Sequence, residues 1–193
     1  MKRTVVLAIL DGWGIGRKDN SNPIYVANPK NIEYIRMNFP SGALQASGIA
    51  VGLPWGEEGN SEVGHLTLGA GKIIYQHFPR ITLAIRDGSF FKNPAFLGAA
   101  EHAKKNNSSL HLAGLLTAGN VHASLDHLAA LVKLAAENGV KNLYFHFFTD
   151  GKDSPPKSAL ELLKKVGDIF ARHGDLGKIA SLAGRYYALD RDE

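Results

Sequence analysis

The stretch Gly59-Asn60-Ser61-Glu62-Val63-Gly64-His65 sets one serine between glycines, just before the apolar run Leu66-Thr67-Leu68-Gly69. Gly59 allows a positive φ, and Gly64 leaves room for close approach. Ser61 suits a helix N-cap or first-turn position, and Glu62 suits the positive end of a helix dipole. A hydroxyl held there sits where backbone N–H groups converge on an anion, which reads as a nucleophile or a phosphate-binding serine. An ordinary loop-to-helix cap fits the same spacing. The G-x-S-x-G elbow of α/β-hydrolases does not, because the second glycine falls one residue late.

Asp11 is a second candidate. It ends the apolar run Val5 to Leu10 and precedes Gly12-Trp13-Gly14. A carboxylate at the carboxyl end of a buried strand stands where α/β sheets hold their ligands, although a turn aspartate has the same signature. A third group comes from three segments, Thr117 to His122, Thr149 to Asp153 and Gly184 to Arg191. Together they contain His122, Lys152, Asp153, Arg185 and Arg191. Basic and neutral donors around one carboxylate suit a phosphate or carboxylate ligand with a base beside it. Taken singly, His122 reads as a helix-entry histidine, Asp153 as a cap, and Lys152, Arg185 and Arg191 as surface charges. Only their joint placement favours a site.

That placement depends on the elements before each segment. Leu110 to Leu116, Leu143 to Phe148 and Ile179 to Ala183 are short apolar runs that read as strands. Between them lie two helical patterns. One is capped by Ser124, carries Leu125, Leu128, Leu131, Val132 and Ala135, and closes at Gly139. The other opens at Ser154-Pro155-Pro156, carries Leu160, Leu163, Val166, Ile169 and Phe170, and closes at Gly174. A further helix is expected from Asn93-Pro94 to about Lys105. Strands alternating with helices imply β-α-β crossovers and a parallel sheet, whose crevice lies beyond the carboxyl ends of the strands. The class is therefore α/β.

Earlier in the chain, Val5 to Leu10 reads as a strand buried on both faces. Asn28-Pro29 is expected to start a helix with Ile32, Ile35 and Phe39 on its apolar face, stopped by Pro40. Leu44 to Ser47 suits a short strand, and Gly48 to Gly59 a loop. A domain crossing is expected between Gly69 and Pro79, giving domains 1–75 and 76–193.

Composition narrows the class. The chain has 193 residues, 45% hydrophobic and 21% charged, with a net charge of +4 and no cysteine. That is the profile of an ordinary globular protein, without thiol chemistry or a disulfide framework. Lys and Arg are scattered, so neither nucleic acid nor a membrane surface is the expected partner, whereas an anionic small molecule fits. The apolar start imitates a signal peptide, but Asp11 ends it early and no cleavage signature follows. His65, His77, His102, His111, His127, His146 and His173 show no metal spacing and read as structural.

Several of these motifs together resemble the cofactor-independent phosphoglycerate mutases. They are Leu10-Asp11-Gly12-Trp13-Gly14, Asn60 to His65, Leu68-Gly69-Ala70-Gly71-Lys72 with Tyr75-Gln76, Asp150 to Ser158, and Gly184 to Asp192. The resemblance implies a cytoplasmic glycolytic isomerase with an alkaline-phosphatase-like α/β domain, split in sequence around an inserted α/β domain. It implies that Ser61 takes the phosphoryl group of 3-phosphoglycerate and returns it to the 2-hydroxyl, without 2,3-bisphosphoglycerate. It implies two divalent metals, usually manganese with magnesium as an alternative, with Asp11 and Ser61 among the ligands of one. By the same resemblance Asp153 is the base, and His122, Lys152, Asp153, Arg185 and Arg191 hold the substrate.

Three departures stand out. Lys152 replaces the family's arginine and cannot make its planar two-point grip. Thr117-Ala118-Gly119-Asn120 replaces Ser-Asp-Gly-Gly and loses an acid beside His122. The family is also considerably longer, so the chain is expected to be its amino-terminal portion, inactive without a carboxyl-terminal half that acts as partner and completes the metal sites. The competing expectations are a non-catalytic anion-binding fragment and a metal-dependent phosphatase or phosphotransferase with another substrate.

Overall fold

In the computed structural model, which describes residues 3–189, the chain divides into two units, residues 1–76 and 77–193.

The first unit is helical and loop-rich. Helix α1 (Pro23–Ala27) opens with the Asn22 side chain accepting from the Ile24 amide, and Pro23 fills the first turn where no N–H is needed. Asn28 then takes a left-handed conformation, φ 44°, and closes α1. The expected role of Asn28 as an opening cap is corrected: Asn-Pro occurs at both ends of α1, and asparagine serves equally well as a left-handed terminator. Helix α2 (Lys30–Asn38) follows Pro29 and ends at Phe39. A 3-10 turn spans Gly48–Val51, and α3 (Ser61–Ala70) completes the unit.

Two expected strands are absent. Residues 5–10 form no strand, and Val5 and Val6 are 89% and 82% exposed. Residues 44–47 are likewise irregular. An apolar run becomes a strand only when a neighbour completes its hydrogen-bond ladder, and no described segment pairs with either run.

The second unit begins with α4 (His77–Asp87), which sequence reading passed over, then a 3-10 turn at Ser89–Lys92 and α5 (Pro94–Lys105). Strand β1 (Leu110–Leu116), α6 (Leu125–Glu137), β2 (Leu143–Thr149), α7 (Ala159–Ala171), β3 (Gly177–Gly184) and α8 (Arg185–Ala188) follow. The α/β class is borne out by a parallel sheet in the order β1-β2-β3. The second helical pattern starts late. Pro155-Pro156 forms a turn, closed by the Ser158 amide on the Pro155 carbonyl at 3.0 Å. Ser154 is not a cap; it is buried elsewhere.

Period-two patterning in β2 explains the core. Leu143, Phe145 and Phe147 point to one face and are almost fully buried among Val132 and Ala135 of α6 and Leu162, Val166 and Phe170 of α7. The opposite face carries a polar row. The His111 ring stacks on Tyr144 at 5.2 Å, His111 Nδ1 lies 2.9 Å from His146 Nε2, and His146 Nδ1 lies 2.8 Å from Ser181 Oγ. β3 differs from its neighbours: every position between Gly177 and Gly184 is exposed, including Ile179 and Leu182.

Register sets up the site. Leu116, Thr149 and Gly184 lie level with one another across the three strands. The segments after them therefore leave the sheet side by side at its carboxyl edge.

Candidate functional site

The polar cluster at that edge is built on Asp150, directly after β2. Its side chain is 1% exposed. Oδ1 accepts from Arg185 Nη1 at 2.8 Å and from the Lys152 and Asp153 amides at 3.1 and 3.2 Å. Oδ2 accepts from Thr117 Oγ1 and the Ser154 amide, both at 2.6 Å. Burial alone pushes this carboxyl upward; the Thr117 hydroxyl, the loop amides and Arg185 outweigh it and hold Asp150 well below the usual carboxylate range.

The hydroxyls beside it have fixed directions. Thr117 gives its only proton to Asp150, an ionised group that can only accept. The 2.8 Å contact between Thr117 Oγ1 and Ser154 Oγ is therefore donated by Ser154, which itself accepts from the Ala118 amide at 2.7 Å. The first two loops are thus tied together through their buried hydroxyls.

Asp153 forms the outer part of the cluster. Its Oδ2 lies 2.5 Å from His122 Nδ1 and 3.1 Å from Arg185 Nη1. The His122 hydrogen bond is the largest influence on its carboxyl; burial pushes the other way, and with the help of Arg185 the net effect holds Asp153 below the ordinary value. Asp153 is thus an ionised acceptor of low proton affinity while both donors remain in place. Hydrogen bonding to Asp150, reinforced by Asp153, raises the Arg185 guanidinium above its ordinary value. Arg185 Nε is buried without a hydrogen-bond partner among the described residues. His122 Nδ1–H donates to the ionised Asp153 carboxylate, and the His122 side chain is 52% exposed.

The structure therefore brings together His122, Asp153 and Arg185, from three strand ends. Lys152 shares the loop but is exposed; its backbone amide, not its side chain, joins the cluster. Arg191 lies outside the described residues. Asp150, Thr117 and Ser154 were not singled out from sequence. A signal was present for Asp150: like Asp11, it follows an apolar strand pattern and precedes glycine.

The first unit holds the other pair. Asn60, not Ser61, is the N-cap of α3, its side chain accepting from the Val63 amide at 3.1 Å. Ser61 is the first helical residue, free to use its hydroxyl elsewhere, and it donates to the Asp11 carboxylate across fifty positions of sequence. His65 Nδ1 meets the Ser61 carbonyl at 2.8 Å. Two oxygens of this type suit Mg2+ or Mn2+, but two donors do not hold a cation. Among the described residues no three His, Asp or Glu side chains are grouped to bind one.

The second unit is thus a parallel α/β sheet with an Asp-Arg ion-pair cluster, joined by His122, at the carboxyl ends of its strands, the edge where sheets of this class hold their ligands. The family follows from comparison with known proteins. Residues 81–193, more than half of the chain, match the family described as BPG-independent PGAM N-terminus (iPGM_N), and the chain belongs to that family. All of the chain aligns at 51% identity with a 2,3-bisphosphoglycerate-independent phosphoglycerate mutase 1 of Methanosarcina barkeri, covering 37% of that relative. It aligns at 50% identity with the corresponding mutase of Clostridium botulinum strain Langeland, covering 100% of this chain and 38% of that one. The chain thus spans little more than a third of the length of these curated relatives. A crystal structure of Leishmania mexicana phosphoglycerate mutase, determined at low cobalt concentration, superposes with a TM-score of 0.63 at 31% identity, covering 95% of this chain and 34% of that one. Among the described residues no helix is long and apolar enough to cross a membrane.

Proposed function

We propose that this chain carries the phosphoryl-accepting serine and part of the substrate-holding wall of a phosphoglycerate mutase. That enzyme would interconvert 3-phosphoglycerate and 2-phosphoglycerate through a phosphoserine. Residues 1–75 would belong to an alkaline-phosphatase-like domain, and 76–193 to a substrate-binding domain inserted in it. The observation that carries the reading is the convergence of His122, Asp153 and Arg185 at one sheet edge, in a chain whose relatives are named as mutases.

In this reading Ser61 Oγ attacks phosphorus as the bond to the glycerate C3 oxygen breaks, and the proton lost by the Ser61 hydroxyl ends on that departing oxygen. The 2-hydroxyl then attacks the phosphoserine and gives its proton to the Asp153 carboxylate; Ser61 Oγ leaves and that proton ends on it, which restores both the Ser61 hydroxyl and the Asp153 carboxylate. Asp11 orients the Ser61 hydroxyl through their hydrogen bond. Arg185 and His122 hold the glycerate, with Lys152 adding a point charge. A serine hydroxyl is a weak nucleophile near neutrality, so manganese or magnesium dependence is proposed for the longer protein. That the Leishmania mexicana structure was determined at low cobalt concentration fits a metal requirement of this kind.

The test is complementation. The chain is mixed with the remaining portion of the Methanosarcina barkeri mutase and Mn2+, and formation of 2-phosphoglycerate is followed. Conversion is expected, and Ser61→Ala is expected to abolish it. Turnover that survives the substitution refutes the role of Ser61.

A further inference from the structure

We infer that Asp150 is a positioning residue. It holds Arg185 by Nη1, so that the remaining edge of the guanidinium, with its buried Nε–H, is kept for an anionic ligand. The inference rests on the phosphoglycerate reading for the identity of that ligand. The juxtaposition behind it does not, because it consists of contacts within one sheet edge.

Turn duty does not account for Asp150. A loop aspartate that only shapes its turn accepts one or two backbone amides and stays wet. Asp150 accepts from five donors on all three strand ends, and its side chain is 1% exposed. A buried carboxylate is tolerated only when it is paired and hydrogen-bonded, and the charge that pairs it is Arg185. That side chain also reaches Asp153, with the same nitrogen, at 3.1 Å. Two carboxylates share Nη1, whereas Nε is buried without a hydrogen-bond partner among the described residues. A buried N–H in that state marks where a ligand oxygen belongs.

Asp150 also decides which carboxylate Arg185 favours. While Asp150 holds Nη1, Arg185 cannot turn to make a two-point pair with Asp153, a geometry that guanidinium and carboxylate strongly favour. Without the Asp150 charge, Arg185 turns to Asp153. The edge kept for the ligand is then consumed, and Asp153 is blocked as an acceptor.

The test uses the 193-residue chain and its variants D150N, R185A and D150N/R185A. Calorimetry with 3-phosphoglycerate is expected to show at least tenfold weaker binding for D150N than for wild type. In the R185A background, D150N is expected to add less than twofold. A positioning residue has no effect once its target is gone, whereas a purely structural role persists; an equal loss in both backgrounds overturns the inference. Independently of any ligand, the Arg185 Nε–H resonance, assigned by comparison with R185A, is expected to exchange with water at least tenfold faster in D150N. If wild type does not bind 3-phosphoglycerate, the mutase reading fails and this exchange rate still decides: an unchanged rate overturns the role of Asp150. Should D150N not fold, T117V removes one of the five donors and is expected to accelerate the same exchange by a smaller factor. No acceleration there also overturns it.

Discussion

Gly119 faces the backbone of the Asp153 loop so closely that a single methyl group tests the geometry of the site. An alanine Cβ at 119 would lie 2.6 Å from both Asp153 Cβ and the Asp153 carbonyl oxygen. Ordinary contact begins at 3.4 Å, so one loop must retreat by about 0.8 Å. The obstacle is backbone, not the end of a flexible side chain, and the Thr117 and Ser154 hydroxyls resist separation of the loops. Overpacking of this kind costs about 1–3 kcal/mol, which lowers the melting temperature by roughly 2–12 °C for a chain of this size. The retreat also lengthens the 2.5 Å His122–Asp153 contact to about 3.3 Å at most, a weaker hydrogen bond. Gly119→Ala is therefore expected to weaken 3-phosphoglycerate binding by up to about tenfold, the loss of a whole charge-assisted hydrogen bond of about 1.4 kcal/mol being the upper bound. Thermal melts and calorimetry read the two effects. Gly98→Ala is the control: it lies on the exposed face of α5 with nothing within 4 Å of the new Cβ, and it is expected to stabilise by about 0.5–1 kcal/mol through helix propensity. Wild-type stability and affinity in Gly119→Ala would refute the close approach of the two loops.

Phe145→Ala empties a site that is 1% exposed at the centre of the sheet and is expected to cost about 3–5 kcal/mol in urea unfolding; a loss below about 1 kcal/mol contradicts the core described. Burial lowers the pKa of His127, with Asp126 opposing more weakly, while Thr82 Oγ1 lies 2.9 Å from Nε2 and the Phe78 ring packs at 5.1 Å. The folded state thus binds this proton less readily than the unfolded one, and stability present above about pH 6.5 falls as the pH drops below it. His127→Gln is expected to flatten the melting profile between about pH 7 and 5, and an unchanged slope assigns the dependence elsewhere. Asp150 and Asp153 are both lowered, so their stabilisation is complete above the usual carboxylate range, near pH 4, and is lost on further acidification. D150N is expected to melt at a temperature less sensitive to acid below about pH 4 than wild type.

The second unit was largely legible because its signals are local. Aromatic and branched runs bounded by glycine gave β1, β2 and β3, and helical spacing between them gave a parallel sheet. Parallel pairing in turn set three loops at one edge. Sequence reading failed where a partner decides the outcome. Residues 5–10 have strand composition, but composition supplies no neighbour. Asn28-Pro29 and Ser154-Pro155-Pro156 both look like helix starts, yet Asn28 ends one helix and Ser154 serves a hydrogen-bond network. In the site, His122, Asp153 and Arg185 were visible as types that bind anions. Asp150 was not, because an aspartate before glycine is the commonest of turn signatures; only its burial and its five donors distinguish it.

The exposed β3 has a consequence for handling the protein. Ile179-Ala180-Ser181-Leu182-Ala183 contains neither charge nor proline, and of its two edges only the one facing β2 is paired among the described residues. Nothing in that segment repels a second strand. In concentrated solution the chain is therefore expected to be adhesive along this line, with edge-to-edge association setting its solubility ceiling. Leu182→Lys is expected to raise that ceiling while leaving the cluster at the carboxyl edge in place.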